Sequence, residues 1–161
     1  MVQPAQFKIA RVATPLDLGD TARLFRHYAA SLDVDLAYQN FESELASLPG
    51  MYAPPAGALL LARHADETAL GCVALRALEE QHVCELKRLY VVPDARGLSL
   101  GRALVEAVVA EARLLGYREM RLDSLPSMRA AIGLYRRLGF VEIQPYYASP
   151  IEGTTFMRLQ L

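Results

Sequence analysis

The stretch Leu89 to Arg102, LYVVPDARGLSLGR, decides the fold. It reads as an apolar strand that ends at Pro93, a turn through Ala95-Arg96-Gly97, and a helix that opens directly behind it. The first turn of any helix leaves about four amide donors without intrahelical partners, and aligned peptide dipoles place partial positive charge there, so a phosphate is a natural guest. Gly97 and Gly101 carry no side chain and let a pyrophosphate approach the main chain, while Arg96 and Arg102 add charge that pairs with phosphate oxygens. The same pattern also describes an ordinary strand-to-helix connection with a glycine at its corner. Spacing excludes two commoner phosphate loops. A P-loop needs Lys followed by Ser or Thr after its last glycine, and here Gly101 is followed by Arg102-Ala103; a dinucleotide fingerprint needs three glycines, and this segment has two.

On the N-terminal side, Phe7 to Ala13 alternates as a strand, and Thr14-Pro15-Leu16-Asp17 supplies helix-start chemistry for a helix through Ser31. Phe41, Leu45 and Leu48 share one helical face, and that second, short helix ends against Pro49-Gly50. Strands follow at Ala58 to His64, Ala69 to Leu78 and His82 to Val92, joined by turns at Asp66-Glu67-Thr68 and Glu79-Glu80-Gln81, which predicts an antiparallel meander. Behind the phosphate loop, Leu100, Leu104, Ala107, Val108, Leu114 and Leu115 make a helical stripe that stops at Gly116. Arg118 to Asp123 reads as a strand and Pro126 to Leu138 as a helix closed by Gly139. Phe140 to Ile143 and Thr154 to Leu161 read as two last strands. The order β-α-α-β-β-β-α-β-α-β-β predicts an α/β fold, one mixed central sheet with helices on both faces.

With 161 residues, the expectation is a single domain over 1–161 with its core from residue 7. A composition 53% hydrophobic with formal net charge −1 argues against disorder and gives no bulk electrostatic reason to expect nucleic acid or an anionic membrane as partner. No run approaches the roughly 18 apolar residues of a membrane span, and MVQPAQFKIARV lacks the pattern of a secretory leader, so a cytoplasmic location is expected. Cys72 and Cys84 suit two buried, reduced thiols. His27, His64 and His82 lack metal-ligand spacing, and no metal is expected.

With the elements in this order, the chain resembles the GNAT superfamily of acyl-CoA-dependent N-acetyltransferases. Arg96-Gly97-Leu98-Ser99-Leu100-Gly101 is similar to the family pattern Gln/Arg-x-x-Gly/Ala-x-Gly/Ala, except that Ser99 stands in for the usual small residue. Leu134-Tyr135-Arg136-Arg137-Leu138-Gly139-Phe140 is similar to the family's L-Y-x-x-x-G-F run. The resemblance implies acetyl-CoA as cosubstrate. Its pantetheine arm would pair with Leu89, Tyr90 and Val91 on a strand that splays from its parallel neighbour, and its pyrophosphate would lie on Gly97, Leu98, Ser99, Leu100, Gly101 and Arg102. An amide-bearing chain suits a strand edge with free donors and acceptors. Ser99 either caps the helix or crowds the phosphates.

An alkylamine is almost wholly protonated at neutral pH, so a base or water chain aids its attack on a thioester. Glu85 and Asp123 stand where relatives of this family often carry an acid, and each also reads as a solvated or salt-bridged carboxylate, Glu85 beside Lys87 and Arg88. By the same resemblance Tyr135 is the acid that protonates the departing thiolate; its other reading is a core tyrosine with a satisfied hydroxyl. The Val91 N–H suits a developing oxyanion. Direct transfer is expected rather than an acyl-enzyme, because no His stands in an activating relation to Cys84. Many relatives have asparagine where this chain has Met128, a departure that leans away from branches acetylating protein N-termini; Ser127 is placed to compensate. Tyr28, Tyr38, Tyr146 and Tyr147, with Asp33, Asp35, Glu42 or Glu85, are candidates to line an acceptor pocket, each tyrosine equally suited to core packing. The expected activity is acetyl transfer to a primary amine of a small molecule. The alternatives are a non-catalytic CoA-binding sensor or interaction domain, or an enzyme modifying protein termini or lysines. A homodimer through sheet edges is a possible partner arrangement by family analogy.

Overall fold

The computed structural model describes residues 6–161, so the first residues of the expected domain, and part of the stretch read as lacking a leader, lie outside the described residues. The strands are β1 (Phe7–Arg11), β2 (Ala58–His64), β3 (Ala69–Ala77), β4 (Val83–Val91), β5 (Glu119–Ser124), β6 (Val141–Ile143) and β7 (Thr155–Gln160). The helices are α1 (Pro15–Ala30), α2 (Phe41–Ser47), α3 (Leu100–Leu114) and α4 (Arg129–Arg137). They build one mixed seven-stranded sheet in the order β1-β2-β3-β4-β5-β7-β6, antiparallel except for the β4–β5 pair. Element order and sheet class are those predicted. Among the described residues no helix is long and apolar enough to cross a membrane.

Helix α1 starts where its sequence says. Thr14 Oγ1 accepts the Asp17 N–H at 3.1 Å, and Asp17 returns a carboxylate oxygen to the N–H groups of Ala13 and Thr14 at 2.9 and 3.1 Å. The other Asp17 oxygen takes Arg63 Nη2 at 2.7 Å, tying the helix to β2. The Ala13 N–H first, and the Arg63 guanidinium next, hold this carboxyl down at about 2. A folded-state pKa below the unfolded value near ~3.9 gives stability that is present above pH ~4 and is lost as pH falls toward 2. Discounted for solvent screening of a surface ion pair, this amounts to about 1–2 kcal/mol. Denaturant titration of Asp17→Asn is expected to show that deficit at pH 7, and the gap to the unsubstituted protein should narrow between pH 4 and 2.

The sheet is apolar on both faces, which is why Ala58–Ala62 reads as an uninterrupted apolar run and is buried throughout. One core joins Leu60, Leu75, Leu86 and Met120 to Leu104 and Val108 of α3 and Ile132 of α4. The other joins Leu59 and Leu61 to Leu24 and Phe25 of α1 and Phe41 of α2. Each fully buried leucine among these contributes roughly 1.5–3 kcal/mol relative to exposure.

Three local departures matter. Helix α4 begins at Arg129 rather than Pro126, because Leu125-Pro126-Ser127-Met128 closes a turn, with the Met128 N–H on the Leu125 carbonyl, before the first helical bond forms. Short 3-10 turns occupy Leu36–Gln39, Gly50–Tyr52 and Pro93–Ala95, between the predicted helices and strands. The alternation of a regular strand is broken along β4 by a bulge: Cys72 pairs Tyr90 and Ala74 pairs Lys87, so Val73 alone faces Arg88 and Leu89. Arg88 takes φ 59° there, and Lys87 and Arg88 consequently both turn to the α1–α2 side of the sheet.

Candidate active site

The parallel pair opens the site. Strand β5 meets β4 only at Val83, Cys84 and Glu85, so from Leu86 onward the edge of β4 that faces β5 is unpaired. Because the Val92 N–H goes to Leu70 on β3, alternation along an antiparallel strand turns the N–H and C=O of Val91 the other way, into this gap.

A cleft of about 810 Å³ begins at that edge. Its wall carries Leu89, Tyr90 and Val91; its head carries Arg96, Gly97, Ser99, Leu100, Gly101 and Arg102. Leu98, in the same loop, points to solvent instead. Among the described residues, no protein group accepts a hydrogen bond from the amides of Gly97 through Arg102; the first helical bond of α3 runs from Ala103 to Ser99. Gly97 sits at φ 85°, a conformation open to glycine, and leads the chain into the helix. Ser99 adopts φ 60° and makes no side-chain cap, so of its two expected roles capping does not occur. Neither arginine of the motif is aimed into the loop. Arg96 folds back, donating Nε to the Val91 carbonyl at 3.1 Å with its guanidinium 5.9 Å from the Tyr90 ring, and Arg102 pairs with Glu106 at 2.9 Å.

Beyond Tyr28, Leu89 and Met128, which line both spaces, lies a cavity of about 30 Å³. Tyr135, Asp123, Ser124 and Lys87 face it, together with Tyr38 and Gln39 from the first 3-10 turn. Burial pushes the Tyr135 phenol well above its ordinary pKa, with the neighbouring Tyr28 and Asp123 acting in the same direction, so it stays protonated. The Tyr147 hydroxyl donates to Asp123 at 2.6 Å. Burial likewise lowers the Lys87 ammonium below the usual lysine range.

Asp123 and Tyr135 are thus brought together, and Glu85 is outside the lining of this cavity. Glu85 is 1% exposed, one oxygen taking Arg76 Nε at 2.7 Å and the other the Tyr146 hydroxyl at 2.5 Å. Of the acceptor-pocket candidates, Tyr28 and Tyr38 line the cavity and Asp33 the large cleft. Asp35 is occupied in capping its 3-10 turn, and Glu42 is exposed. Ser127 lines the cleft beside Met128. Cys84 is buried, its thiol pushed up to about 12 by burial, which suits core packing rather than a nucleophile. Lys87, Gln39 and Ser124 were not singled out from sequence; the signal available was the adjacent pair Lys87-Arg88, two charges where strict alternation would send one into an apolar core.

An open strand edge thus stands beside helix-terminal amides that have no protein acceptor among the described residues, with a buried phenol at the far end. The chain belongs to the GNAT family of acetyltransferases: residues 22–140 match the acetyltransferase (GNAT) family. It is 41% identical over 161 residues to an uncharacterized N-acetyltransferase of Schizosaccharomyces pombe, covering 100% of this chain and 99% of that one. An acyl-CoA N-acyltransferase structure from Klebsiella pneumoniae is similar at 29% identity and TM-score 0.73, covering 98% of this chain and 99% of that one. An acetyltransferase structure from Salmonella typhimurium with its cofactor acetyl-CoA shares the fold at 22% identity and TM-score 0.69, covering 96% and 94%. The protein is an acyltransferase.

Proposed function

We propose that the protein moves an acetyl group from acetyl-CoA directly to a primary amine of a small molecule. The observation that carries this is the run of amides from Gly97 to Arg102 with no acceptor in the protein, at the head of a cleft whose wall is an unpaired strand edge. Helix-terminal amides suit a diphosphate, and the edge of Leu89 to Val91, unpaired with β5 although Arg96 takes the Val91 carbonyl, suits an amide-bearing arm. The coenzyme supplies an activated acyl thioester when bound; the remaining work falls to the chain.

The Val91 N–H, held by the sheet, is a fixed donor for an oxygen on which negative charge develops. Asp123 faces the cavity and is the candidate to accept a proton from the incoming amine, with Tyr147 orienting it. Glu85, enclosed by Arg76 and Tyr146, is assigned a positioning role for Lys87 and the Tyr146 loop. Tyr135 keeps its proton until the sulfur leaves and then donates it.

Calorimetry with acetyl-CoA and a free-thiol assay across amine classes test this reading together. Tyr135→Phe is expected to lower kcat by roughly 100-fold. Its acetyl-CoA affinity should stay within about threefold, because uniform binding is untouched. Unchanged turnover in this variant would remove Tyr135 from the acid role.

A further inference from the structure

The charges around the small cavity are unequally answered. Arg88 is engaged by Glu44 through two bonds of 2.9 Å, and Glu85 by Arg76 at 2.7 Å. Lys87 and Asp123 have no such dedicated counter-ion. Among the described residues Lys87 Nζ makes one hydrogen bond, to Gln39 Oε1 at 3.2 Å, and stands 3.9 Å from the already paired Glu85; Asp123 receives only the neutral Tyr147 hydroxyl. Burial is the largest influence on Lys87 and disfavours its charge; Glu85 and Asp123 act favourably, and Arg88 and Arg76 unfavourably. A second observation is independent of charge. Ser124 Oγ is buried and has no hydrogen-bond partner among the described residues, and Ser124 lines this same cavity. Buried hydroxyls are seldom left unpaired, and an orphan hydroxyl that shares a cavity lining with a cation having spare donors supplies the donor types of a carboxylate site.

The geometry points to an acceptor that carries a carboxylate close to its reacting amine, an amino acid or related amino carboxylate, with Lys87 and the Ser124 hydroxyl taking the carboxylate and Asp123 facing the amine. At about 30 Å³ this cavity encloses at most part of the acceptor's reacting end and none of its side chain. The acceptor's side chain therefore lies outside this cavity, so the enzyme reads the head group closely and the side chain loosely. This assignment rests on the N-acetyltransferase reading and narrows it, setting amino acids above diamines and polyamines.

The test uses the full chain with acetyl-CoA and a panel of amino acids, their carboxamides and diamines, read by thiol release, and by thermal shift with CoA bound. The free acids are expected to exceed their carboxamides in kcat/KM. Lys87→Met, which keeps the packed stem, should lose about 10- to 100-fold toward the acids, mostly in KM, and change little toward the carboxamides. Lys87→Arg should restore part of the preference. Ser124→Ala removes a hydroxyl that bonds nothing in the protein, so it should fold normally and weaken the acids about threefold to tenfold. Equal turnover of acids and carboxamides, or equal losses for both in Lys87→Met, overturns the subsite and leaves the transferase reading standing. Lys87-dependent thermal protection by the acids without thiol release from any amine does the reverse. Protection by no acid together with release from no amine overturns both.

Discussion

Gly101→Asp is expected to abolish measurable acetyl-CoA binding while leaving the free protein as stable as before or slightly more so. The two effects have one physical source. Gly101 lies in the first turn of α3, among amides with no acceptor in the protein, where the helix dipole favours negative charge. A carboxylate placed there satisfies the field that would otherwise hold a diphosphate, and its favourable position contributes about 0.3–1 kcal/mol. Removing a helical glycine adds a few tenths more. The added Cβ meets only Leu134 Cδ2, at 3.6 Å, so the fold admits it. Against an incoming diphosphate, two like charges about 4 Å apart cost roughly 4 kcal/mol at an effective dielectric constant near 20. Half of that already weakens binding by more than about 30-fold, before the loss of space is counted. Gly101→Ala gains more helical propensity, about 1 kcal/mol, without the charge and should bind more weakly than the parent but measurably. Calorimetry and thermal unfolding report both quantities on the same samples. Parent-like affinity in Gly101→Asp would remove these amides from the cosubstrate site, and with them the basis of the proposed function.

What the sequence disclosed and what it withheld divide along a physical line. Leu89 to Arg102 was legible because its signals are local: an apolar run, a proline stop, a glycine corner and a helical stripe follow within a few residues of one another. Ala58–Ala62 was legible because a strand covered on both faces needs no polar alternation. Helix α4 starts later than its sequence suggests because Pro126, a residue suited to the first helical position, belongs here to the turn that precedes the helix. The bulge in β4 depends on partners far along the chain, since Arg88 is drawn to Glu44 on α2 and to Gln39. Glu85 and Asp123 looked alike in sequence because each is an acid on a strand. Arg76 and Tyr146 enclose the first, while the splay of β4 from β5 opens a cavity against the second, and neither neighbour relation is local. The same splay brings Lys87 and Ser124 to one cavity, which no spacing rule connects.

Arg88→Met should cost about 3–5 kcal/mol of folding stability, the largest loss expected from any single substitution at the site. Both side chains of the Arg88–Glu44 pair are about 2% exposed. The guanidinium forks onto the carboxylate at 2.9 Å twice, gives a further bond to Gln39 at 2.8 Å, and lies 5.1 Å from the Phe41 ring. Taking away one partner leaves Glu44 buried as an unanswered charge, and that penalty exceeds anything the pair itself contributes. For a domain of this size the melting temperature should fall by roughly 6–20 °C. The companion Arg88→Met/Glu44→Leu removes both charges and should recover most of the loss, because apolar replacements of a buried pair are often neutral. Recovery of stability need not restore activity. Gln39 is held by Arg88 on one side and holds Lys87 on the other, through the same Oε1 oxygen. In the double variant that oxygen keeps only Lys87, so KM for the acceptor should rise while acetyl-CoA affinity, set at Gly97 to Arg102, is unchanged. A single variant that loses under about 1 kcal/mol in urea titration would show that water reaches Glu44, and the pair would then be neither dry nor the clamp between α2 and the bulge of β4.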